Sequence, residues 1–278
     1  MQQDILALAA RGDIANAARL VRQSLAQGGA DLRDIRVLSA HLLFQDAPWE
    51  QISALLPPDT NAVVTTGLLH SVRKGRPLNA DDAPIPWFTY PAIDFLDGVV
   101  RPEWTVFEWG SGNSTLWWSA RTTHVVSVED DAAWHAEVVK QIRPNSESLF
   151  KTGRDYFDAI RAYPDASFDV VVIDGSSRND CARAAPDKLK PGGLIVFDNA
   201  DGPEFDAGQQ YLIDQGFYRL DFWGLIPSYL YKNCTSVFFR DPELLRRKTV
   251  PSAHRSSVGI SCFQAMHRGQ AARPAGQI

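Results

Sequence analysis

A glycine turn between a short strand and a helix is the feature that most restricts how this chain can fold. It lies in Phe107 to Trp118, FEWGSGNSTLWW, where an acid stands two residues before a Gly-x-Gly. Two glycines this close predict a backbone that bends sharply or approaches a ligand closely. Residues 104–107 have a strand pattern, and 115–120 a helical one that Asn113 or Ser114 would cap. Strand, glycine turn and helix in this order are typical of a cofactor loop at the carboxyl edge of a parallel sheet.

Strand and helix patterns alternate from residue 104 to residue 241. Continuous apolar runs such as Val170 to Ile173 suit strands that are buried on both faces of a parallel sheet. We predict strands at 104–108, 123–128, 148–152, 168–173, 193–197, 217–223 and 235–240, and helices near 113–121, 131–141, 155–162, 178–189 and 206–215. Only a long loop, 224–234, separates the last two strands, which are therefore predicted to pair as an antiparallel hairpin at one edge.

Two flanking segments differ from this α/β pattern. The helical spacing of small and apolar residues in 1–57 resembles a tetratricopeptide-like hairpin, broken at Arg11-Gly12-Asp13. One or two such units are too few for a free-standing array, so the segment either packs on the main domain or serves as a docking or dimerisation module. We expect a helical extension over 1–80, the α/β domain over 81–241 and a basic, flexible tail over 242–278.

Charge, hydropathy and cysteine content limit the partners and the compartment. The net charge of -5 gives no reason to expect nucleic acid as a partner. No apolar run approaches the length of about 20 residues that spans a membrane, and the first residues lack a basic-then-apolar signal layout. Cys181, Cys234 and Cys262 form no C-x-x-C motif and predict free thiols in a reducing compartment. We expect a cytoplasmic protein without nucleic-acid or membrane partners.

The glycine turn departs from the dinucleotide fingerprint G-x-G-x-x-G. Thr115 stands where that fingerprint has its third glycine, and Glu108 would repel a pyrophosphate bound at Gly110 and Gly112. An ammonium would instead be attracted, which favours a zwitterionic tail such as an amino acid. The helix start near Ser114 could receive the carboxylate of that tail. A nicotinamide-dependent oxidoreductase is disfavoured but stays an alternative.

Two acids further along the chain fit an adenosyl group. Glu129 lies 19 residues after Gly110, where an acid can accept hydrogen bonds from both ribose hydroxyls. Asp155, after the third predicted strand, falls near the expected adenine pocket. It could equally be the N-cap of a helix.

Four motifs together resemble one family: VFEWGSG, SVEDD, FDVVVIDG and LKPGGLIVFDNAD. Their order and spacing over about 100–240 are similar to those of the class I S-adenosylmethionine-dependent methyltransferases. The resemblance implies a Rossmann-like seven-stranded, mostly parallel sheet whose last strand is antiparallel, with S-adenosylmethionine as cofactor. It implies that the methionine part is lined by Glu108, Gly110 and Gly112, with Asn113 and Ser114 at the helix start. Glu129 would hold the ribose, and Asp174 would face the reacting methyl group.

A narrower resemblance concerns catechol and caffeoyl-CoA O-methyltransferases, which bind a divalent metal at two strand ends. It implies Asp174, Asp198 and Asn199 as ligands of Mg²⁺ or Mn²⁺, whose preference for oxygen they suit. The lysine that those enzymes carry is replaced here by Ser177 and Arg178. Arg178 is a poor base but could fix an anionic substrate or neutralise charge, which leaves the general base unassigned. Asp198-Asn199 could otherwise be a polar turn after a buried strand.

Aromatic residues flank the expected site. The segment APIPWFTYPAIDFL precedes the glycine turn and could close over a ligand, or Trp87, Phe88 and Tyr90 could pack in the core. A second group could line an acceptor pocket or belong to the core: Trp223, Tyr229 and Tyr231.

The sequence thus predicts an enzyme that moves a methyl group from S-adenosylmethionine to a small-molecule acceptor. The expected acceptor atom is a hydroxyl oxygen. The alternative from another class is a non-catalytic protein that binds an adenosyl ligand and acts through its helical extension. Residues 1–57 are the expected surface for a homo-oligomer or a protein partner.

Overall fold

The computed structural model describes residues 65–246 without a gap, and residues 4–23 apart from 6, 9, 10, 14, 18, 21 and 22. The chain divides into two compact units, one of them Gly67–Val250 and the other Met1–Thr66 with Pro251–Ile278. In this second unit the described residues of 4–8 and 15–23 are helical, and a turn lies at Arg11 and Gly12, where the sequence predicts a break. The expected flexibility of the basic tail concerns residues that, beyond Arg246, lie outside the described ranges.

The larger unit alternates helices and strands. In chain order they are α1 (Leu68–Lys74), α2 (Tyr90–Asp97), β1 (Thr105–Trp109), α3 (Asn113–Ser119), β2 (His124–Glu129), α4 (Ala132–Val139), β3 (Ser146–Phe150), α5 (Arg154–Asp158), β4 (Phe168–Ile173), α6 (Arg178–Ala184), β5 (Leu189–Phe197), α7 (Asp206–Asp214), β6 (Tyr218–Leu225) and β7 (Lys232–Phe239). Short 3₁₀ turns occupy Ala159–Ala162, Pro186–Lys188, Pro203–Phe205 and Pro242–Leu245.

All strands form one seven-stranded sheet in the order β3-β2-β1-β4-β5-β7-β6. Strands β1 to β5 are parallel to one another, whereas β7 runs antiparallel to both β5 and β6. The predicted Rossmann-like sheet with an antiparallel last strand is therefore confirmed. The predicted hairpin is also present, with β7 inserted beside β5 and β6 at the edge.

Two local predictions were wrong. The β6–β7 ladder continues to the pair Leu225 and Lys232, so only residues 226–231 connect the strands instead of 224–234. The cap of α3 is Gly112, not Asn113 or Ser114, and its N–H donates to Thr115 Oγ1 at 3.1 Å. The helix already begins at Asn113, and the Thr115 side chain at its third position accepts the N–H of the cap residue Gly112.

Apolar side chains cover both faces of the sheet, as the continuous apolar strands predict. On one face Trp109, Ile173 and Phe197 pack against the helices after β3 and β4, where Tyr156 and Cys181 are buried. The other face is covered by α2 and α3, which contribute the buried side chains Leu96, Trp117 and Trp118, and by Phe88, which precedes α2. The two layers fix the carboxyl ends of β1, β2, β4 and β5 at one edge.

The sheet order reverses direction at β1, whose neighbours are β2 and β4. In open parallel sheets this switch point opens a crevice beyond the strand ends, where ligands bind. Gly110, Glu129 and Asp174 directly follow or end these three strands. The fold therefore brings them to the same crevice.

Within the described ranges, no helix combines the length and apolar character needed to cross a membrane. Cys181 and Cys234 are buried free thiols. Cys262 lies outside the described residues.

Candidate functional site

A cavity of about 700 Å³ occupies the crevice at the carboxyl edge of the sheet. Its floor is the glycine turn with the ends of β2, β4 and β5, and its walls come from the segment after α1, from Trp87, from α4 and from the β6–β7 loop. Small-molecule sites in proteins commonly enclose roughly 300–1,000 Å³. The cavity thus has room for a cofactor at the strand ends.

The glycine turn lets the main chain form the cavity floor. Gly110 has φ +91°, and a Cβ there would lie 3.1 Å from the main chain of Asp174 and Gly175. A side chain would therefore collide with the loop after β4, and only glycine tolerates this φ easily. Gly110, Gly112, Asn113 and Ser114, which the sequence predicts as cofactor-binding residues, all line the cavity.

Glu108 lies beneath the turn and does not line the cavity. Its side chain is fully buried, and its Oε2 accepts a hydrogen bond from Thr115 Oγ1 at 2.6 Å. Its Oε1 has no hydrogen-bond partner, and burial raises the pKa of Glu108 to about 8 despite the hydrogen bond from Thr115. The structure therefore separates this acid from the predicted contact with an ammonium group, and gives it a role in holding the helix start.

Glu129 does line the cavity, at the end of β2. Its Oε2 accepts hydrogen bonds from the N–H and the hydroxyl of Ser111 at 3.1 and 2.9 Å. Its Oε1 accepts from the N–H groups of Asp130 and Asp131, both at 3.0 Å. These four donors hold the carboxylate against the glycine turn and fill its lone-pair sites. A ribose hydroxyl would bind Glu129 by taking the place of the Ser111 hydroxyl, which can rotate away.

Trp134 is a cavity residue that the sequence reasoning missed. The indole N–H donates to Ser111 O at 2.6 Å, and a Cβ on Gly112 would lie 3.3 Å from the ring. The ring thus stands beside the glycine turn as an apolar wall. The sequence signal that could have identified it is a tryptophan in the first turn of the helix after β2.

Asp155 is not brought to the cavity. It is the second residue of α5 and is exposed, because the neighbouring Tyr156 takes the inward position and is buried. The N-cap of α5 is Gly153, so the N-cap interpretation of Asp155 is wrong.

Asp174, Asp198 and Asn199 meet at the ends of β4 and β5 and line the cavity together. The Thr235 hydroxyl donates to Asp198 Oδ1 at 2.5 Å. Burial raises the pKa of Asp174 to about 6, against the opposing charge of Arg178. Burial, and then the charge of Asp174, raises the pKa of Asp198 well above its usual range.

Arg178 is buried at the start of α6, and its N–H groups point at protein oxygens. Nε donates to Gly175 O at 2.9 Å, Nη2 to Asp174 O at 3.2 Å, and Nη1 to Asp198 O. Nη2 also lies 3.4 Å from Asp174 Oδ1, and the guanidinium lies 4.9 Å from the centre of the Phe205 ring. Arg178 therefore joins the loops after β4 and β5.

The aromatic residues divide between cavity and core. Phe88 is fully buried under the sheet, whereas Trp87 faces the cavity and its indole N–H donates to Pro227 O at 3.0 Å. The Trp87 and Tyr229 rings are 6.2 Å apart, and those of Tyr229 and Tyr231 are 5.2 Å apart. These three rings form one wall, which we call the aromatic wall.

Two of the other predicted aromatics lie away from this wall. Tyr90 is partly buried and packs against the core. Trp223 is 48% exposed and does not line the cavity; Lys232 Nζ lies 4.6 Å from its ring centre.

Comparison with known proteins connects this geometry to a family. Residues 107–200, about a third of the chain, match the family model described as a methyltransferase domain. This segment contains the glycine turn, Glu129, Asp174 and Asp198. No curated protein matches the chain.

Solved structures with a similar fold include three enzymes. An O-methyltransferase from Bacillus cereus in complex with SAH is 15% identical, with TM-score 0.46, and the match covers 62% of this chain and 90% of that one. Spermidine synthase from Thermotoga maritima is 16% identical, with TM-score 0.44 and 61% and 67% coverage. Precorrin-6y C5,15-methyltransferase from Geobacter metallireducens is 12% identical, with TM-score 0.43 and 54% and 87% coverage. Likenesses this distant carry no argument about the substrate.

The family match and the sheet topology agree with each other. The matched residues begin in β1 and end just after β5, so they contain the glycine turn and the strand ends that line the cavity. Residues 107–200 of the chain are thus similar to a methyltransferase domain, and they lie in a sheet with the strand order β3-β2-β1-β4-β5-β7-β6.

Proposed function

We propose that the chain transfers the methyl group of S-adenosylmethionine to an oxygen of a small-molecule acceptor. The observation that carries this proposal is that one cavity contains both halves of the site. The glycine turn and Glu129 lie in one part of it, and Asp174, Asp198 and the aromatic wall lie in another. A cofactor on the turn would thus present its methyl group to an acceptor in the same enclosure.

The reaction requires little chemistry beyond positioning. An acceptor oxygen attacks the methyl carbon in line with the carbon–sulfur bond. The oxygen–carbon bond forms as the carbon–sulfur bond breaks, and the sulfonium becomes a neutral thioether. The hydroxyl proton must leave, and the Asp174 carboxylate at the end of β4 is the cavity acid that we place next to the acceptor.

Arg178 supports this arrangement without contacting the acceptor. Its N–H groups already bond Gly175, Asp174 and Asp198, so it has no free donor pair for an anionic substrate. We therefore assign it the task of positioning Asp174. The acceptor pocket then has an apolar aromatic wall and a carboxylate floor, which favours an uncharged acceptor over an anionic one.

The residues do not fit the divalent metal that the narrower resemblance implies. Asp198 Oδ1 accepts from Thr235, and the Arg178 guanidinium lies 3.4 Å from Asp174 Oδ1. The positive charge of Arg178 acts on both aspartates and would repel a second cation bound between them. The proposed reaction therefore takes no step through a metal.

Chelation tests this part of the proposal. We expect methyl transfer to be unchanged in EDTA. A loss of activity that Mg²⁺ restores, and that Asp198→Ala makes insensitive to Mg²⁺, would establish the metal site.

Formation of S-adenosylhomocysteine from S-adenosylmethionine, over a panel of uncharged phenols and alcohols, tests the function itself. Asp174→Asn should lower kcat and leave S-adenosylhomocysteine affinity within about twofold, because Asp174 serves the acceptor. Binding of the cofactor without turnover of any acceptor would favour the non-catalytic adenosyl-binding protein.

The remaining expectations about partners and compartment stay predictions from the sequence. They are a homo-oligomer or protein partner bound through residues 1–57, a cytoplasmic location, and no nucleic-acid or membrane partner. The domain limits 1–80, 81–241 and 242–278 also stay predictions from the sequence.

A further inference from the structure

The cofactor tail carries a carboxylate, and this cavity offers few groups to receive it. The described residues that line the cavity include two positively charged side chains, Arg76 and Arg178. The Arg178 donors are bonded to main-chain oxygens and to Asp174. Helix α3 is only seven residues long and begins at the turn, so its N-terminus alone is a weak partner for a full charge.

Arg76 has a fixed main chain and an uncommitted side chain. The buried Ser71 accepts the Arg76 N–H through its main-chain oxygen at 3.3 Å and donates its hydroxyl to Arg76 O at 2.6 Å. Among the described residues the Arg76 guanidinium donates no hydrogen bond and forms no ion pair within 4.0 Å. The protein thus holds this residue in place while its charge remains available in the cavity.

The next residue sets Arg76 beside the glycine turn. Asn113 Nδ2 donates to Pro77 O at 2.7 Å, and Ile85 N–H donates to the same oxygen at 3.0 Å. Asn113 follows Gly112 directly, so the segment carrying Arg76 is attached to the end of the turn that continues into α3. Glu129, which is placed to hold the ribose, bonds Ser111 at the middle of the turn.

Nearby acids already have partners of their own. Asp82 lies 2.7 Å from His70 Nε2. The pKa of Asp82 is lowered mainly by this hydrogen bond from His70 and to a lesser degree by Arg76. Glu137, on the α4 wall of the cavity, pairs with Lys140 at 2.6 Å. An anion that entered the cavity would therefore find Arg76 as its charged partner.

We propose that Arg76 binds the carboxylate of the methionine tail of S-adenosylmethionine. The inference rests on the cofactor assignment and adds the residue that recognises the tail. A guanidinium can hold a carboxylate through two parallel hydrogen bonds. Arg76 would thereby fix the tail over the glycine turn and orient the methyl group toward Asp174.

Two ligands separate a contact with the tail from a general effect on the cavity. S-adenosylhomocysteine carries the carboxylate, and 5′-methylthioadenosine has the same nucleoside but no amino-acid tail. We expect Arg76→Gln to weaken S-adenosylhomocysteine binding by about tenfold or more, since the variant loses a charge-assisted pair of hydrogen bonds to the carboxylate. The affinity for 5′-methylthioadenosine should stay within about twofold.

The matched control is Arg73→Gln. Arg73 lies in the last turn of α1, the helix just before Arg76, is exposed and does not line the cavity. Both affinities should be unchanged in this variant. Arg76→Lys should recover part of the lost affinity, because it keeps the charge and loses the planar pair of donors.

Three outcomes would overturn the inference. They are unchanged S-adenosylhomocysteine affinity in Arg76→Gln, an equal loss for both ligands, or an equal loss in the Arg73→Gln control. If the natural chain bound neither ligand, the cofactor assignment itself would fail, which is a different result from a failure of Arg76 alone.

Discussion

Glu108 and Glu129 stand at the ends of adjacent parallel strands but have opposite environments. Glu129 faces the cavity and accepts hydrogen bonds on both carboxylate oxygens. Glu108 is fully buried with one oxygen unpaired. We therefore expect Glu129 to act on the ligand, and Glu108, whose pKa burial raises to about 8, to act on stability.

The first prediction concerns the ribose. Glu129→Ala should weaken S-adenosylhomocysteine binding at least about tenfold, because it removes a charged acceptor of the ribose hydroxyls. Calorimetric titration of the variant measures this. Unchanged affinity would remove Glu129 from that role.

The second prediction concerns the pH dependence of stability. The folded pKa of Glu108, about 8, lies above the ordinary 4.5. The folded state therefore keeps a proton that the unfolded state releases, and stability falls as pH rises from about 5 to about 8, by at most about 1.4 kcal/mol per pH unit. Urea unfolding without ligand should show a shallower fall in Glu108→Gln. Equal slopes in the two proteins would contradict the raised pKa.

The residues at strand ends could be predicted from the sequence, and those brought in by other segments could not. Gly110, Glu129 and Asp174 each follow a strand that the apolar pattern identifies, so the sheet alone places them. Arg76 reaches the cavity only because hydrogen bonds from Asn113 and Ser71 fix the loop after α1. No spacing rule within one segment reveals such a long-range contact.

At the scale of elements, the turn after β1 and the loop after β4 form one packed unit. Gly110 packs closely against the main chain of Asp174 and Gly175, because a Cβ added to Gly110 would lie only 3.1 Å from those main-chain atoms. Arg178 then ties the β4 loop to the end of β5. A change at the turn should therefore reach the acceptor end of the site.

A matched pair of glycine substitutions tests this coupling. Gly110 and Gly216 have similar backbone angles, φ +91° and +83°, but nothing lies within 4 Å of a Cβ on Gly216. Gly216→Ala should cost about 1 kcal/mol of stability from backbone strain alone and leave S-adenosylhomocysteine binding intact. Gly110→Ala should cost more and weaken the ligand at least about tenfold, as measured by urea unfolding and calorimetry. Equal effects of the two substitutions would contradict the packed unit.

The sequence predicted the type of each helix or strand better than the residues at which it begins and ends. Period and composition locate all seven strands. Continuous apolar runs such as Val170 to Ile173 mark the buried parallel strands, whereas β3 and β6 are mixed in composition and partly exposed. Their limits depend on pairing: Leu225 and Lys232 join the ladder because the partner strand continues opposite them. Pro191 and Gly192 suggest a turn, yet β5 begins at Leu189 because Leu189 pairs with Phe168 across an irregular register.

At the scale of the molecule, the structural unit Gly67–Val250 is wider than the α/β domain 81–241 predicted from the sequence. The wider unit includes α1, whose Ser71 hydroxyl lies 2.9 Å from Ser228 Oγ in the β6–β7 loop. It also includes Arg76. The segment before residue 81 thus belongs to the site as well as to the unit.

A comparison of two fragments tests these limits. The fragment 67–250 should unfold in one cooperative transition and bind S-adenosylhomocysteine within about threefold of the full chain. The fragment 81–241 should bind more weakly, because it lacks both Arg76 and the Ser71 contact. Equal binding by both fragments would contradict the assignment of the segment after α1 to the site.

Calorimetric titration of the full-length chain with S-adenosylmethionine, beside an identical titration with NAD⁺, tests the central claim most directly. We expect one S-adenosylmethionine to bind per chain, Glu129→Ala to lose that binding, and NAD⁺ not to bind. Binding of NAD⁺ in place of S-adenosylmethionine, or binding of S-adenosylmethionine that Glu129→Ala leaves intact, would contradict it.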